Sequence, residues 1–435
     1  MREQQGAQGM ENRFTDNNPF LEVLNGRAVD PAPVMPSYGT GYPVFPPGLF
    51  MHRRLCELWH RRIQAAGVTE KTVTFDEALE VAFQAVSEVM DEVMPPPCCL
   101  SATRSLGMPS RRAVSGSRIR RMEDGFVWES ANGATLLRAK RGTDGVWNPP
   151  PLAKPETALG NVDRDLARMR DALPKLKAAG PPRPNFRREL EAGHLDLIRA
   201  VKARYGGRVL VAHVPNAPLP QCYVHLRGPS SAELGYDSLL IALHSERALM
   251  RDLLAAFLPR LDEEWAVLRD IGVDAIFLGE YMSGADVLAP SLYKDVIAPY
   301  TLRQIEFFNE QGFKTVLVHG GSALPMLDIL KEMPWHGLLV EESRKGYSND
   351  IGEVRRRVGP ARALLGNVDI ALLESGSDEA VQAEVCRQVA VAGRDLPFIL
   401  CTGSPITQAT TPDRVRLFCD SASLVAQGLR RRRER

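Results

Sequence analysis

The chain has 435 residues, of which 44% are hydrophobic and 25% charged, a composition typical of a globular protein able to bury a large core. Lys and Arg total 54 against 53 Asp and Glu, so the net charge of +1 produces no global field that would favour nucleic acid or an acidic membrane surface. Seven cysteines without CxxC spacing, an N-terminus without an apolar targeting stretch and no apolar run near 18 residues predict a cytoplasmic protein that does not enter a membrane.

The N-terminal third predicts an extension, two helices and a small β-structure. Residues 1–30 are expected to form an N-terminal helical extension, followed by a main domain that runs from 31 to 435. Residues 51–67 and 75–93 carry the 3.6-residue apolar periodicity of helices. Within 109–150, short β-prone runs are separated by Asp124-Gly125 and Asn132-Gly133, which are favourable hairpin turns. This segment is therefore predicted to be an antiparallel hairpin insertion.

From about residue 184 onward, apolar runs alternate with amphipathic segments. Helices are predicted at 184–205, 235–270, 290–311, 322–332, 349–357, 378–392 and 411–426. Strands are predicted at 209–212, 223–226, 274–278, 315–318, 337–340, 363–365 and 398–400, with earlier candidates at 33–35 and 98–102.

The strands read as continuous apolar runs, which is typical of parallel strands buried on both faces. Seven candidates follow residue 205 and two precede it. Six of the later candidates together with the two earlier ones make the eight strands of a closed (β/α)₈ barrel. We therefore predict an α/β barrel with the N-terminal helical extension and the hairpin insertion. A doubly wound open sheet is the alternative, but no GxGxxG or P-loop motif follows any strand.

Polar residues follow several of these strands directly. In a barrel, the C-terminal ends of the strands carry the chemistry. The side chains expected to line one pocket there are Glu280, His319, Glu341, Asn367, Asp369 and Ser404.

Each of these residues also has a purely structural interpretation. His319 could be a core histidine bonded to a backbone carbonyl, although Gly320 and Gly321 leave space beside it for a ligand or backbone. Glu280 could cap a helix, Asp369 could form an Asx-turn, and Ser404 could shape the turn at Pro405. Glu341 and Glu342 could be a solvated pair, of which only one can point inward.

Three segments resemble the uroporphyrinogen decarboxylase-like superfamily, and in particular its methylcobalamin:coenzyme M methyltransferase-like branch. Residues 366–369 (GNVD) with 372–381 (LLESGSDEAV) resemble a shared superfamily stretch. Residues 279–293 (GEYMSGADVLAPSLY) resemble a segment of the methyltransferase branch. Residues 25–34 (NGRAVDPAPV) resemble the segment leading into the first strand. The resemblance implies a TIM barrel with its active site on the loops after the strands.

The chain departs from the decarboxylases where they bind their substrate. Those enzymes carry an RQAGR motif after the first strand, whereas residues 36–42 here read PSYGTGY, without arginine. Eight substrate carboxylates need charge-assisted partners. The late histidine of the decarboxylases also aligns with Ser404. Decarboxylation of uroporphyrinogen is therefore not expected.

The chain also departs from the zinc methyltransferases, which use HxC and a distant cysteine as ligands. Here the motif reads His319-Gly320-Gly321, and Ser404 stands where the second cysteine would align. Cys401 lies three residues earlier, inside a strand. A three-ligand thiolate site is missing, which leaves either a His319 and Glu280 site for a metal such as zinc or a metal-free acid/base pair.

The resemblance implies methyl transfer between a small-molecule substrate and a corrinoid- or tetrahydrofolate-type carrier, with a corrinoid protein as partner. In this hypothesis His319, Glu280 and Asp369 are catalytic, and Tyr38, Asn367, Ser404 and Glu341 bind substrate. Two alternatives stay open. One is a decarboxylase or lyase acting on a small organic acid or tetrapyrrole, with His319 as general acid. The other is a non-catalytic binding barrel.

Overall fold

The computed structural model describes residues 18–29, 32–35, 48–93, 98–101, 108–142, 145–148, 160–227, 234–259, 264–344, 346–393, 395–407 and 409–433. None of the helices in these ranges is long and apolar enough to cross a membrane.

The described strands form two sheets. Their bounds are β1 Val34–Met35, β2 Glu70–Val73, β3 Cys98–Ser101, β4 Ser117–Met122, β5 Gly125–Glu129, β6 Thr135–Arg141, β7 Trp147–Asn148, β8 Val209–His213, β9 Ala275–Glu280, β10 Lys314–His319, β11 Gly337–Val340, β12 Ala363–Leu365 and β13 Phe398–Cys401.

The main sheet is parallel and has the strand order β1-β13-β12-β11-β10-β9-β8-β3. Its two end strands, β1 and β3, lie beside each other, although no ladder of hydrogen bonds joins them among the described residues. The predicted parallel α/β sheet is therefore confirmed as a curled sheet.

Helices cover the outer face of this sheet, and α1 Pro19–Leu24 lies on its inner side. The other helices before β8 are α2 Gly48–Ala65, α3 Phe75–Glu92, α4 Arg111–Val114, α5 Val162–Ala179, α6 Phe186–Glu191 and α7 Asp196–Tyr205. Those after β8 are α8 Pro218–Arg227, α9 Tyr236–Ser245, α10 Arg247–Ala256, α11 Glu264–Asp270, α12 Pro290–Leu292, α13 Ala298–Glu310, α14 Leu327–Leu330, α15 Ile351–Val358, α16 Ile370–Ser375, α17 Asp378–Gln388 and α18 Pro412–Arg433.

The inner face of the sheet is filled by a small apolar cluster. Phe277 and Val316 belong to it, and Phe20 of α1 packs into the same cluster. The Asn18 side chain caps α1 and donates a hydrogen bond to the carbonyl oxygen of Val209, which anchors the helix to the first residue of β8. Alternate residues of the same strands, such as Ile276 and Leu317, pack instead against the helices. A residue's position along a strand therefore decides whether its side chain faces inward or toward the helices.

Two local predictions were wrong. Residues 223–226 lie in helix α8 instead of a strand, because Leu219, Cys222 and Leu226 form one buried helical face while Val224 is 58% exposed. The single helix predicted at 184–205 is divided into α6 and α7. Gly193 between them adopts a φ of +87°, a left-handed conformation that ends a helix.

The predicted insertion contributes four strands, β4 to β7, to a five-stranded antiparallel sheet of order β2-β4-β5-β6-β7. The turn at Gly133 has a φ of +81°, as the Asn-Gly sequence predicts. Strand β2, which comes from outside the predicted insertion, pairs with β4 and was not predicted. The sheet packs on α2 through Trp59 and Trp128, whose ring centroids are 5.8 Å apart.

Candidate active site

Glu280 and His319 end neighbouring strands and are paired in register across β9 and β10. Neither side chain is exposed to solvent. Side chains along a strand point to its two faces in turn. Glu280 and His319 stand an even number of residues after Ile276 and Leu317, so they point to the same face as these two side chains, which pack against the helices. The structure therefore brings the two predicted residues together, but in the layer between sheet and helices.

Three further side chains surround this pair, and we call the five residues the buried polar centre: Glu280, Ser283, Tyr293, Thr301 and His319. The Thr301 hydroxyl donates a 2.9 Å hydrogen bond to Oε2 of Glu280. The Tyr293 and His319 rings meet edge to face, with centroids 6.2 Å apart. Tyr293 begins a π-helical turn, residues 293–297, that leads into α13. Such turns are common at functional sites.

The buried polar centre contains several polar atoms without a hydrogen-bond partner. They are Oε1 of Glu280, Oγ of Ser283, the Tyr293 hydroxyl and both ring nitrogens of His319. Buried polar atoms are nearly always bonded to protein or ordered water, so a cluster of unbonded ones needs an explanation. A core histidine held by a backbone carbonyl, the structural interpretation of His319, is not what the geometry shows.

Burial moves the pKa values of Glu280 and His319 in opposite directions. It raises the pKa of Glu280 from 4.5 to about 7, and the Thr301 hydroxyl, which is bonded to Oε2, opposes the rise. It lowers the pKa of His319 from 6.5 to about 4, and the Asp286 and Glu341 carboxylates oppose the fall. At neutral pH the imidazole is therefore uncharged, and Glu280 is the group with a proton to give.

A pocket of about 270 Å³ opens next to this centre, and we call it the mouth pocket. Its lining is Tyr236, Tyr281, Met282, Gly284, Asp286, Val287, Gly321 and Glu341. The charged groups among these residues are two carboxylates, and no lysine or arginine of the described chain lines the pocket. Of the side chains predicted to form one pocket, the mouth pocket contains Glu341 alone.

The two glycines after His319 allow the loops around the mouth pocket to pack closely. A Cβ on Gly320 would lie 3.1 Å from Cα of Tyr281. On Gly321, whose φ is +75°, it would lie 2.4 Å from Oδ1 of Asp286. Two backbone amides fix the carboxylates: Gly321 N–H donates to Glu341 and Ser322 N–H to Asp286, both at 2.7 Å. The space beside the imidazole is thus occupied by backbone.

Asp369 and Asn367 hold the loops after β12. The Asp369 carboxylate accepts a 2.8 Å hydrogen bond from the Ala371 amide and is the N-cap of α16. The buried Asn367 amide donates to the carbonyl oxygens of Asn349 at 2.7 Å and Glu341 at 3.3 Å. Neither side chain belongs to the buried polar centre or lines the mouth pocket.

Ser404 lies in a separate polar group. Its hydroxyl donates to Oε2 of Glu342 at 2.8 Å and accepts from Arg344, which also forms an ion pair with Glu342. Glu342 is 1% exposed, so Glu341 and Glu342 are not a solvated pair. Tyr38 lies outside the described residues.

The residues present do not fit a thiolate zinc site. The Cys401 side chain packs in the inner-face cluster, and its thiol donates a 3.1 Å hydrogen bond to the Thr402 carbonyl oxygen. Burial raises the pKa of that thiol, which disfavours the thiolate that zinc requires. No group of three or more His, Cys, Asp or Glu side chains suited to a metal ion occurs in the described part of the chain.

Sequence reasoning assigned no role to Ser283, Tyr293, Thr301, Asp286 or Tyr236. Ser283 and Tyr293 stand inside the segment 279–293 that carries the family resemblance. Thr301 follows Tyr293 by eight residues, about two helical turns, which places both on one face. The signal for these residues was therefore present in the sequence.

Comparisons with known proteins agree with this architecture. The sequence profile of the uroporphyrinogen decarboxylase (URO-D) family matches residues 170–424. A uroporphyrinogen decarboxylase from Hamiltonella defensa is 26% identical over 232 residues, and one from Neisseria meningitidis is 24% identical over 234. Each alignment covers 52% of this chain and 62% of the relative's length, so less than two thirds of these relatives is matched.

Among solved structures, a methyltransferase from Methanosarcina mazei superposes with a TM-score of 0.55 at 18% identity. The superposition covers 94% of this chain and 99% of the methyltransferase, so nearly the whole of both chains shares one fold. The family profile spans more than half of the chain. The chain therefore belongs to the URO-D family.

Proposed function

We propose that this chain is a methyltransferase or demethylase component that moves a methyl group between a small substrate and a corrinoid- or folate-type carrier. The observation that carries the proposal is the charge of the mouth pocket. Asp286 and Glu341 line it, and its described lining contains no lysine or arginine. The Arg344 guanidinium lies outside that lining, 3.7 Å from Glu341, and is shared with Glu342, so the pocket keeps an excess of negative charge. Such a surface repels a polycarboxylate and accepts a neutral or cationic methyl donor.

Three further points support this proposal. Residues 36–42 lack the arginines that decarboxylases use, and the solved structure quoted above is named a methyltransferase. Members of the family fold as TIM barrels, and β1 lies beside β3, so we infer that the curled sheet closes into a full (β/α)₈ barrel. The mouth pocket would then open at the C-terminal face, where barrels carry their chemistry.

The buried polar centre suits proton supply. When a neutral donor such as methanol loses a methyl group as a formal cation to the carrier's electron pair, the bonding pair stays on the heteroatom, which then needs a proton. A quaternary ammonium donor leaves as a neutral amine and needs none. Glu280, with a pKa of about 7, holds that proton near neutral pH. His319 is the register neighbour of Glu280, and neither of its nitrogens is bound to protein, so a relay from Glu280 through the neutral ring needs a water molecule that bonds both side chains.

In this proposal the substrate touches Asp286, Glu341, Tyr236 and Tyr281, while Glu280 and His319 act from behind the pocket wall. Asn367 and Asp369 act as positioning residues through the loops they hold. The carrier, free or bound to a corrinoid protein, would approach over the same face.

A second candidate is a decarboxylase or lyase acting on a small organic acid. The same buried acid favours it, because Glu280 could protonate the carbon that loses CO₂. His319 is less suited to be the general acid, since its pKa of about 4 leaves it unprotonated at neutral pH.

The test uses the full chain purified without chelators. It is incubated with methanol, dimethyl sulfide, trimethylamine or tetramethylammonium, and with reduced cobalamin or tetrahydrofolate as acceptor. We expect a methylated acceptor, detected by mass spectrometry, and its loss in the Glu280→Gln variant when methanol, dimethyl sulfide or trimethylamine is the donor. Release of CO₂ from small organic acids without methyl transfer would favour the lyase. Binding without turnover would favour a non-catalytic barrel.

A further inference from the structure

A second cavity, of about 100 Å³, lies in the helix layer beside the end of β8. It shares no lining residue with the mouth pocket. Aromatic side chains from four elements form its walls: Phe186 of α6, His213 of β8, Trp265 of α11 and Phe308 of α13. Its rim includes the exposed residues 182–184, so a ligand has a route from solvent.

The walls of this cavity are suited to a flat apolar group. The Phe186 ring meets the His213 ring edge to face, with centroids 5.4 Å apart, and lies 5.6 Å from the Trp265 ring. Trp265 in turn packs edge to face on Phe308 at 4.8 Å. Aromatic pairs of this kind hold each other in fixed orientations. An apolar cavity of about 150 Å³ takes up benzene. The space here, about 100 Å³, is smaller and open at one side, so it takes a single ring that extends partly into the rim.

One buried polar atom in the cavity wall has no partner. Gln304 is 3% exposed, and its Nε2 donates a 3.4 Å hydrogen bond to the Asn216 carbonyl oxygen. That bond fixes the orientation of the amide, because a flip would place two oxygens against each other. Oε1 of Gln304 is left without a hydrogen bond. A buried acceptor without a donor is costly, and a ligand that donates to it recovers that cost.

The charges near the cavity do not select an ion. Arg183 and Glu264, which both line it, have opposite signs. The Glu264 carboxylate also accepts a 3.0 Å hydrogen bond from the Arg187 amide. Ring packing and the Gln304 oxygen are therefore the features that recognise a ligand.

We propose that this cavity is a second ligand site, for a single planar ring that carries one O–H or N–H donor. The ring packs against Phe186 and Trp265, and its donor bonds Oε1 of Gln304. Phenols and azoles are the chemical class that matches. The site lies one helical turn along α13 from Thr301 of the buried polar centre.

The test is isothermal titration of the full chain with phenol, toluene and tetramethylammonium. Toluene has the ring without the donor, and tetramethylammonium tests whether the aromatic walls select a cation. We expect phenol to bind at least tenfold more tightly than either, a difference of about 1.4 kcal/mol. Equal binding of phenol and toluene, or tighter binding of tetramethylammonium, would overturn the proposal.

Two variants locate the donor contact. Gln304→Met keeps the length of the side chain without its acceptor and should weaken phenol binding about tenfold, to the level of toluene. Gln221→Met is the matched control, since Gln221 lines the same cavity and should leave the preference for phenol intact. An unchanged phenol affinity in Gln304→Met, or an equal loss in Gln221→Met, would remove Gln304 from the site. The wild-type comparison of phenol with toluene stands without either variant.

Discussion

Glu280 and His319 are paired in register on β9 and β10, and burial shifts their pKa values in opposite directions. It raises the pKa of Glu280 and lowers that of His319. A raised carboxyl pKa means that the folded state holds the proton more tightly, so Glu280 removes stability as pH rises from 4.5 to about 7. A lowered histidine pKa has the reverse effect, so His319 adds stability as pH rises from about 4 to 6.5. The two contributions, each on the order of 3 kcal/mol, oppose each other over nearly the same range.

We therefore predict that each single substitution makes the free energy of unfolding depend on pH, whereas in the wild type the two opposing contributions cancel. In Glu280→Gln the free energy of unfolding should rise between about pH 4.5 and 6.5, and in His319→Leu it should fall between about pH 4.5 and 7. Urea unfolding followed by circular dichroism across this range measures both. The double variant serves as control and should show neither slope. Parallel curves for the wild type and both single variants would contradict the pKa shifts.

His319 should contribute little to stability although it is fully buried. Because neither ring nitrogen has a partner, His319→Leu removes a buried polar group and breaks no protein hydrogen bond. We expect the free energy of unfolding near pH 7 to fall by no more than about 1 kcal/mol, while turnover is lost.

The matched control is His336→Leu. Nδ1 of His336 accepts a 3.2 Å hydrogen bond from the Thr315 amide, so this change should cost about 1–3 kcal/mol. Melting temperature and turnover are measured on one preparation of each variant. A large loss of stability in His319→Leu, with normal activity of the folded fraction, would reduce His319 to a scaffold role.

Uroporphyrinogen should not be converted to coproporphyrinogen. Asp286 and Glu341 line the mouth pocket, and residues 36–42 contain no arginine to bind the substrate carboxylates. The measurement is chromatography of the oxidised porphyrin products after incubation with the purified chain. The decarboxylase of Neisseria meningitidis, assayed in parallel, shows that the substrate is competent. Coproporphyrin above background from this chain would refute the prediction.

Asp369 should act through its helix cap and not through its charge. Its carboxylate accepts the Ala371 amide at the start of α16. Asp369→Asn keeps an oxygen for that bond and should retain both stability and turnover, whereas Asp369→Ala should cost about 1 kcal/mol. Thermal unfolding and turnover of the two variants separate these roles. An inactive but stable Asp369→Asn would instead assign the charge to the reaction.

Much of the fold follows from local sequence. Apolar runs ending in Glu280 and His319 predict strands with polar ends, and a parallel sheet then places those ends together. The prediction of a strand at 223–226 was wrong because four residues do not distinguish a strand from one turn of helix. Only the packing of Leu219, Cys222 and Leu226 against the rest of the molecule shows the helical period.

The sequence by itself determined that Glu280 and His319 would be neighbours, because both end strands that pair in parallel. It could not determine which way they face. A strand buried on both sides is apolar at every position, so no alternation in the sequence marks its inner face. That choice depends on how the sheet curls and on α1, whose Phe20 fills the inner side. The tertiary structure alone therefore placed Glu280 and His319 among Ser283, Tyr293 and Thr301 in the helix layer, and left Glu341 to line the mouth pocket.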